Sequence, residues 1–232
     1  MKKIISAITA ILLVFGLASC NRSTKDGDTA FSLYSSALST IEKGFEGKST
    51  STVTISDGQK SETTSTASIT KCVGDNVSTA NSEGISMVYV DGVLYTNNGM
   101  YGKYKETMSK ETYEATYGKT AFPALSEELF KGVKIKSDDD QKTFSLTAPN
   151  ENFKELLTGI NTEGMTLSDV TMTATFTNND VLTKLSYSLT MKRMYQEKEY
   201  TIDMIIEMEF IDLGAIPTIS VPENADSYIP KN

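Results

Sequence analysis

The sequence predicts an α+β protein: a large, curved antiparallel sheet with helices covering its apolar face. Three observations predict it. Apolar and polar residues alternate through three long runs near the C-terminus, turn dipeptides punctuate the first half, and helical spacing is confined to a few segments.

The 232-residue chain opens with Lys2 and Lys3, followed by an apolar run from Ile4 to Gly16 broken only by Ser6 and Thr9. That run is too short to span a bilayer comfortably, and it has the charged start and small-residue finish of a secretory signal. Leu17-Ala18-Ser19-Cys20 resembles the lipobox of bacterial lipoproteins. The resemblance implies a thioether to diacylglycerol on Cys20 and cleavage that leaves this cysteine as the new N-terminus. Two or three acyl chains, at about 0.8 kcal/mol per buried methylene, make release from a membrane negligible. Residues 1–19 are therefore expected to be a signal peptide and 20–28 a lipidated cysteine with its polar tether. Residues 29–232 are expected to form one domain, held outside the cytoplasm on the bacterial cell membrane.

The body is predicted to begin with a helix over 29–45 capped by Asp28, because Phe31, Tyr34, Leu38, Ile41 and Phe45 recur at three- and four-residue spacing. Strands over 50–56 and 61–71 follow, joined at Asp57-Gly58. Residues 84–106 read as a meander, with Asp91-Gly92 and Asn98-Gly99 as its turns. Helices are predicted over 109–117 and over 123–131, the second with Pro123 in its first turn. A hairpin of 133–137 and 142–147 turns at 138–141, and Asn150 is placed to cap a helix reaching Ile160.

The three long strands come next. Val170, Met172, Ala174 and Phe176 alternate with threonines; Val181, Leu185, Tyr187, Leu189 and Met191 make the second set. In the third, Ile202, Met204, Ile206, Met208 and Phe210 stand opposite Asp203, Glu207 and Glu209. Such alternation describes an antiparallel sheet wet on one side, and strands of this length call for strong twist. Pro217, Pro222 and Pro230 make the tail an extended edge segment. The expected total is about ten strands and three or four helices.

Composition narrows the chemistry. Without Lys2 and Lys3 the chain has 20 basic and 30 acidic residues, a net charge of −10, which gives no electrostatic reason to bind nucleic acid. With Cys20 given to lipid, Cys72 has no disulfide partner, so the apolar core must stabilise the fold. The chain has no histidine, which excludes Ser-His-Asp and Cys-His catalysis and the common His-containing zinc sites. No constellation offers both a nucleophile and a base, so an enzyme is not expected, nor are cofactors or a metal. Asp138-Asp139-Asp140 lacks the spacing of a calcium loop and reads as a hairpin tip. Asp203, Glu207 and Glu209 read as a solvent-facing row, and the tyrosines at 89, 95, 101, 104, 113 and 117 as a meander packed on a helix.

The order of elements, and the stretch "VDGVLYTNNGMYGKYK" (Val90 to Lys105), resemble half-barrel lipoproteins of the LolA and LppX type. That resemblance implies a sheet wrapped partway around a cavity that accepts acyl chains or lipidated partners. Alternation nominates the lining: Val170, Met172 and Phe176 on one strand, Leu185, Tyr187 and Leu189 on the next. Met204, Ile206 and Met208 nominate themselves on the third, methionine being adaptable enough for variable chains. Two functional classes follow. One is an anchored monomer that binds or carries a lipid or other amphiphile; the other is an interaction lipoprotein with a filled core that meets a protein or the cell wall.

Overall fold

The computed structural model describes residues 25–117, 122–157, 160, 162–214 and 216–231. The predicted lipobox and Cys20 lie outside the described residues. A thirteen-stranded sheet dominates the chain. Its first half is a meander of β1 (Phe45–Ser56), β2 (Ser61–Val73), β3 (Asn76–Asn81), β4 (Ile85–Val90), β5 (Val93–Asn98) and β6 (Gly102–Thr107). Its second half contains β7 (Lys136–Ser137), β8 (Gln141–Ala148), β9 (Met165–Leu167), β10 (Val170–Thr177), β11 (Leu182–Tyr195) and β12 (Lys198–Leu213). With β13 (Ile229–Pro230) at one edge, the spatial order is β13-β6-β5-β4-β3-β2-β1-β12-β11-β10-β8-β7, with β9 paired to β11. The two halves meet where β1 pairs with β12, and among the described residues only β13, laid on β6, is parallel.

This is the predicted class, with more strands and less helix. Alternation is strictest in β10, where Val170, Met172, Ala174 and Phe176 are buried and the threonines between them are not. On the other face those threonines form hydroxyl pairs with β8, Thr171 with Thr147 at 2.9 Å and Thr173 with Ser145 at 2.8 Å. β9 and β10 lie end to end along β11; at the break, Ser168 N donates to Thr190 O and Thr190 N to Ser168 Oγ.

Helix α1 covers 25–41, four residues earlier than its stripe suggested, so Asp28 lies inside it rather than capping it, and residues 25–28 are helical. The stripe misleads at its end because Gly44, at φ +140°, turns the chain and hands Phe45 to β1. Gly27 permits the early start: a Cβ there would lie 2.5 Å from the carbonyl oxygen of Phe130. Ala30, Leu33, Tyr34, Ala37 and Ile41 face the sheet and pack with Phe130, Phe144 and Phe153 into the main core.

The helical middle is mostly not α-helix. Helix α2 (Lys110–Tyr117) forms as expected, its first turn held by Thr112 N donating to Ser109 Oγ at 3.2 Å. The segment expected to be helical over 123–131 keeps one 3-10 turn, Glu127–Phe130, because Phe130 and Val133 are drawn into the core and Gly132, at φ +82°, ends it. Asn150–Leu157 is likewise 3-10, kinked at Phe153, whose ring packs on Tyr187 at 6.1 Å.

Candidate functional site

One row of inward-facing residues organises the site. The register places Phe45, Cys72, Val77, Tyr89 and Leu94 side by side across β1 to β5. Helix α2 covers the far end of this row, where Tyr113 stacks on Tyr89 with centroids 4.4 Å apart, forming a small second core with Val77 and Leu94. At the near end Phe45 packs edge-on against Phe122 at 5.6 Å and Phe210 at 5.9 Å, beside the C-terminus of α1. Between the helices the middle of the row is left open.

A cleft of about 300 Å³ occupies that gap. Leu38, Ile41, Phe45, Val77 and Phe122 give it an apolar floor, and Tyr113 forms one wall. Burial pushes the Tyr113 phenol up to about 12. Cys72 is half-buried in the cleft, its thiol 4.0 Å from the carbonyl of Gly74. The rim is charged: Lys110 on α2 pairs with Asp75 of the β2–β3 turn and lies 3.9 Å from Glu114, with Glu42 of the α1 terminus opposite. The hydrogen bond that Lys110 donates to Asp75 raises its ammonium above the ordinary value. The cleft thus sets an apolar floor under a charged, water-facing rim.

None of the nine residues nominated from alternation lines this cleft. Val170, Met172, Phe176, Leu185, Tyr187, Leu189 and Met204 are buried in the main core, and Ile206 and Met208 are half-buried at its margin. The reason is physical: α1, Phe130 and Phe153 fill the space above those strands. The Tyr187 hydroxyl is the exception to good packing, since it is buried without a well-formed hydrogen bond. Burial, with the neighbouring Tyr34 second, holds it well above the ordinary phenol range.

Asp138 caps its own turn, accepting from Asp140 N at 3.0 Å and Gln141 N at 2.8 Å. Glu207 pairs with Lys184 at 2.5 Å on the outer face, and Asp203 accepts from the Thr190 hydroxyl at 2.6 Å. Tyr89, Tyr113 and Tyr117 pack on one another, and Tyr95 meets Tyr228 edge-on. Among the described residues no group of three His, Cys, Asp or Glu side chains could hold a metal ion, and no helix is long and apolar enough to cross a membrane. The cleft itself had one sequence signal, the Lys110–Glu114 pair at helical spacing; its floor comes from α1, β1, β3 and a connection, which no local pattern joins.

No family model matches the chain, and no curated protein matches it. Solved structures similar to it include a LolA superfamily protein from Nitrosomonas europaea, 9% identical, with a TM-score of 0.30 over 81% of this chain and 94% of that one. A putative outer membrane lipoprotein-sorting protein domain from Vibrio parahaemolyticus is 11% identical, with a TM-score of 0.25 over 84% of this chain and 94% of that one. A DUF1329 family protein from Desulfovibrio piger is 11% identical, with a TM-score of 0.25 over 78% of this chain and 92% of that one.

Proposed function

We propose that this chain is an extracytoplasmic lipoprotein, tied to the bacterial cell membrane through lipid on Cys20, that binds the apolar portion of a lipid or other amphiphile. The observation that carries the reading is the cleft between α1 and α2, with Phe45 and Val77 in its floor and Lys110, Asp75 and Glu114 at its rim. The volume under α1 is filled by side chains, so the tail enters between the helices rather than beneath α1. A body held at a membrane meets amphiphiles at high local concentration, and an acidic surface keeps it from lying flat on anionic lipid.

Two measurements test the two halves separately. Metabolic labelling with a fatty-acid probe is expected to mark the protein, and Cys20→Ser to abolish the mark and release the protein from the membrane fraction; an unlabelled wild type sinks the anchor. For the cleft, Cys72 serves as reporter. Dodecyl phosphocholine below its micellar concentration is expected to slow alkylation of Cys72 at least tenfold, and Ala124→Trp, which fills the cleft from its exposed rim, to remove that protection. Unchanged alkylation, together with no bound mass in native mass spectrometry, would refute the cleft as the site.

A further inference from the structure

The sheet treats its two edges differently. On β6 the edge is covered by β13, whose Ile229 and Pro230 pair with Tyr104 and Lys105. At the other end β7 pairs only with Thr143 and Lys142 of the eight-residue β8. Asp138 N donates to Gln141 O at 3.0 Å, so Gln141 is a hydrogen-bonded position of that hairpin. Antiparallel alternation then turns the backbone groups of Gln141, Thr143, Ser145 and Thr147 away from β10. Thr143 meets β7, but the N–H and C=O groups of Ser145 and Thr147 face no strand among the described residues.

A groove of about 440 Å³ runs beside this free half. Leu129 and Val133 stand across it, with Lys131 and Lys134 along the same connection, Lys136 opening β7 and no carboxylate in the lining. Lys131 pairs with Glu128 at 2.5 Å, whereas Lys134 and Lys136 form no ion pair among the described residues. In a chain of net charge −8 this is a local basic strip. Lysines that guard an edge stand on the edge strand itself. Here the free half of β8 carries Ser145 and Thr147, whose side chains bond to β10; Lys136 stands on β7, but Lys131 and Lys134 stand on the facing wall.

We propose that the free half of β8 accepts an extended acidic segment of a partner protein as an added strand. Its backbone would pair with Ser145 and Thr147, and alternate carboxylates would meet Lys131, Lys134 and Lys136. The site is independent of the amphiphile cleft.

Hydrogen exchange at single-residue resolution on the full chain in detergent tests it. The probe is an acetylated, amidated octapeptide of alternating threonine and glutamate at millimolar concentration. The expected result is exchange at least tenfold slower at Ser145 and Thr147, with Phe144 and Leu146, already bonded to β10, unchanged. Lys134→Glu with Lys136→Glu is expected to remove the protection, as is N-methylation of alternate amides in the peptide. No protection, or equal protection by the same peptide with lysine in place of glutamate, overturns the proposal. So does loss of adsorption to phosphatidylglycerol vesicles in the Lys134/Lys136 variant without any peptide effect, which makes the strip a membrane contact.

Discussion

Gly27 shows how one missing methyl sets the position of a helix. Alanine inside a helix is ordinarily worth about 1 kcal/mol over glycine. Here the added Cβ would sit 2.5 Å from the Phe130 carbonyl oxygen, part of a backbone that holds Phe130 wholly buried and cannot swing aside. Overpacking costs of about 1–3 kcal/mol then outweigh propensity, so Gly27→Ala is expected to lower stability in urea unfolding rather than raise it. The buried phenols of Tyr113 and Tyr187 give a second prediction. The unfolded chain ionises its tyrosines near 10, whereas burial holds Tyr113 up to about 12 and Tyr187 well above the ordinary phenol range. Above pH 10 the unfolded state therefore binds fewer protons than the folded one, and stability that is complete below pH 10 is lost as pH rises toward 12. Tyr113→Phe and Tyr187→Phe should each flatten that fall, read as the urea midpoint against pH by circular dichroism.

At the scale of elements, local chemistry explains which segments the sequence announces. β10, β11 and β12 are legible because period-two alternation and burial coincide, and the Asp91-Gly92 turn because both residues adopt positive φ, 52° and 77°. The turn between β11 and β12 is the opposite case. Gln196 and Glu197 hold φ of 48° and 63° with neither glycine nor asparagine, so no turn signal marks it; the ladder from Lys184–Glu209 through Tyr195–Lys198 imposes the geometry. Replacing the pair with Asn-Gly is expected to raise stability by about 1 kcal/mol or more without moving the register, measured by urea unfolding. Residues 123–131 failed as a helix for a related reason: tertiary demand on Phe130 and Val133 exceeded the helical preference of Leu125 to Leu129. The cleft was not legible because Phe45, Val77 and Phe122 become neighbours only through register and connection, neither of which leaves a period in the sequence.

For the whole molecule the unresolved problem of any open sheet is its edges, and β13 is this chain's answer at one of them. Tyr228 packs edge-on against Tyr95 at 5.4 Å with Lys103 over its ring, Lys231 N donates to Lys105 O at 2.9 Å, and Lys231 pairs with Glu106 at 3.4 Å. These contacts touch neither the main core nor the β1–β12 seam, so deleting residues 224–232 should leave the fold intact while baring β6. Sedimentation velocity is then expected to show concentration-dependent self-association that the full chain lacks; a truncated protein that stays monomeric denies β13 this role. The same geometry supplies a rescue. Because Lys105 O faces the edge, so does Lys105 N, and Lys105→Pro removes an edge donor without touching the ladder to β5. Adding it to the truncated chain should restore the monomer, which distinguishes strand pairing through β6 from association through the newly exposed side chain of Tyr95.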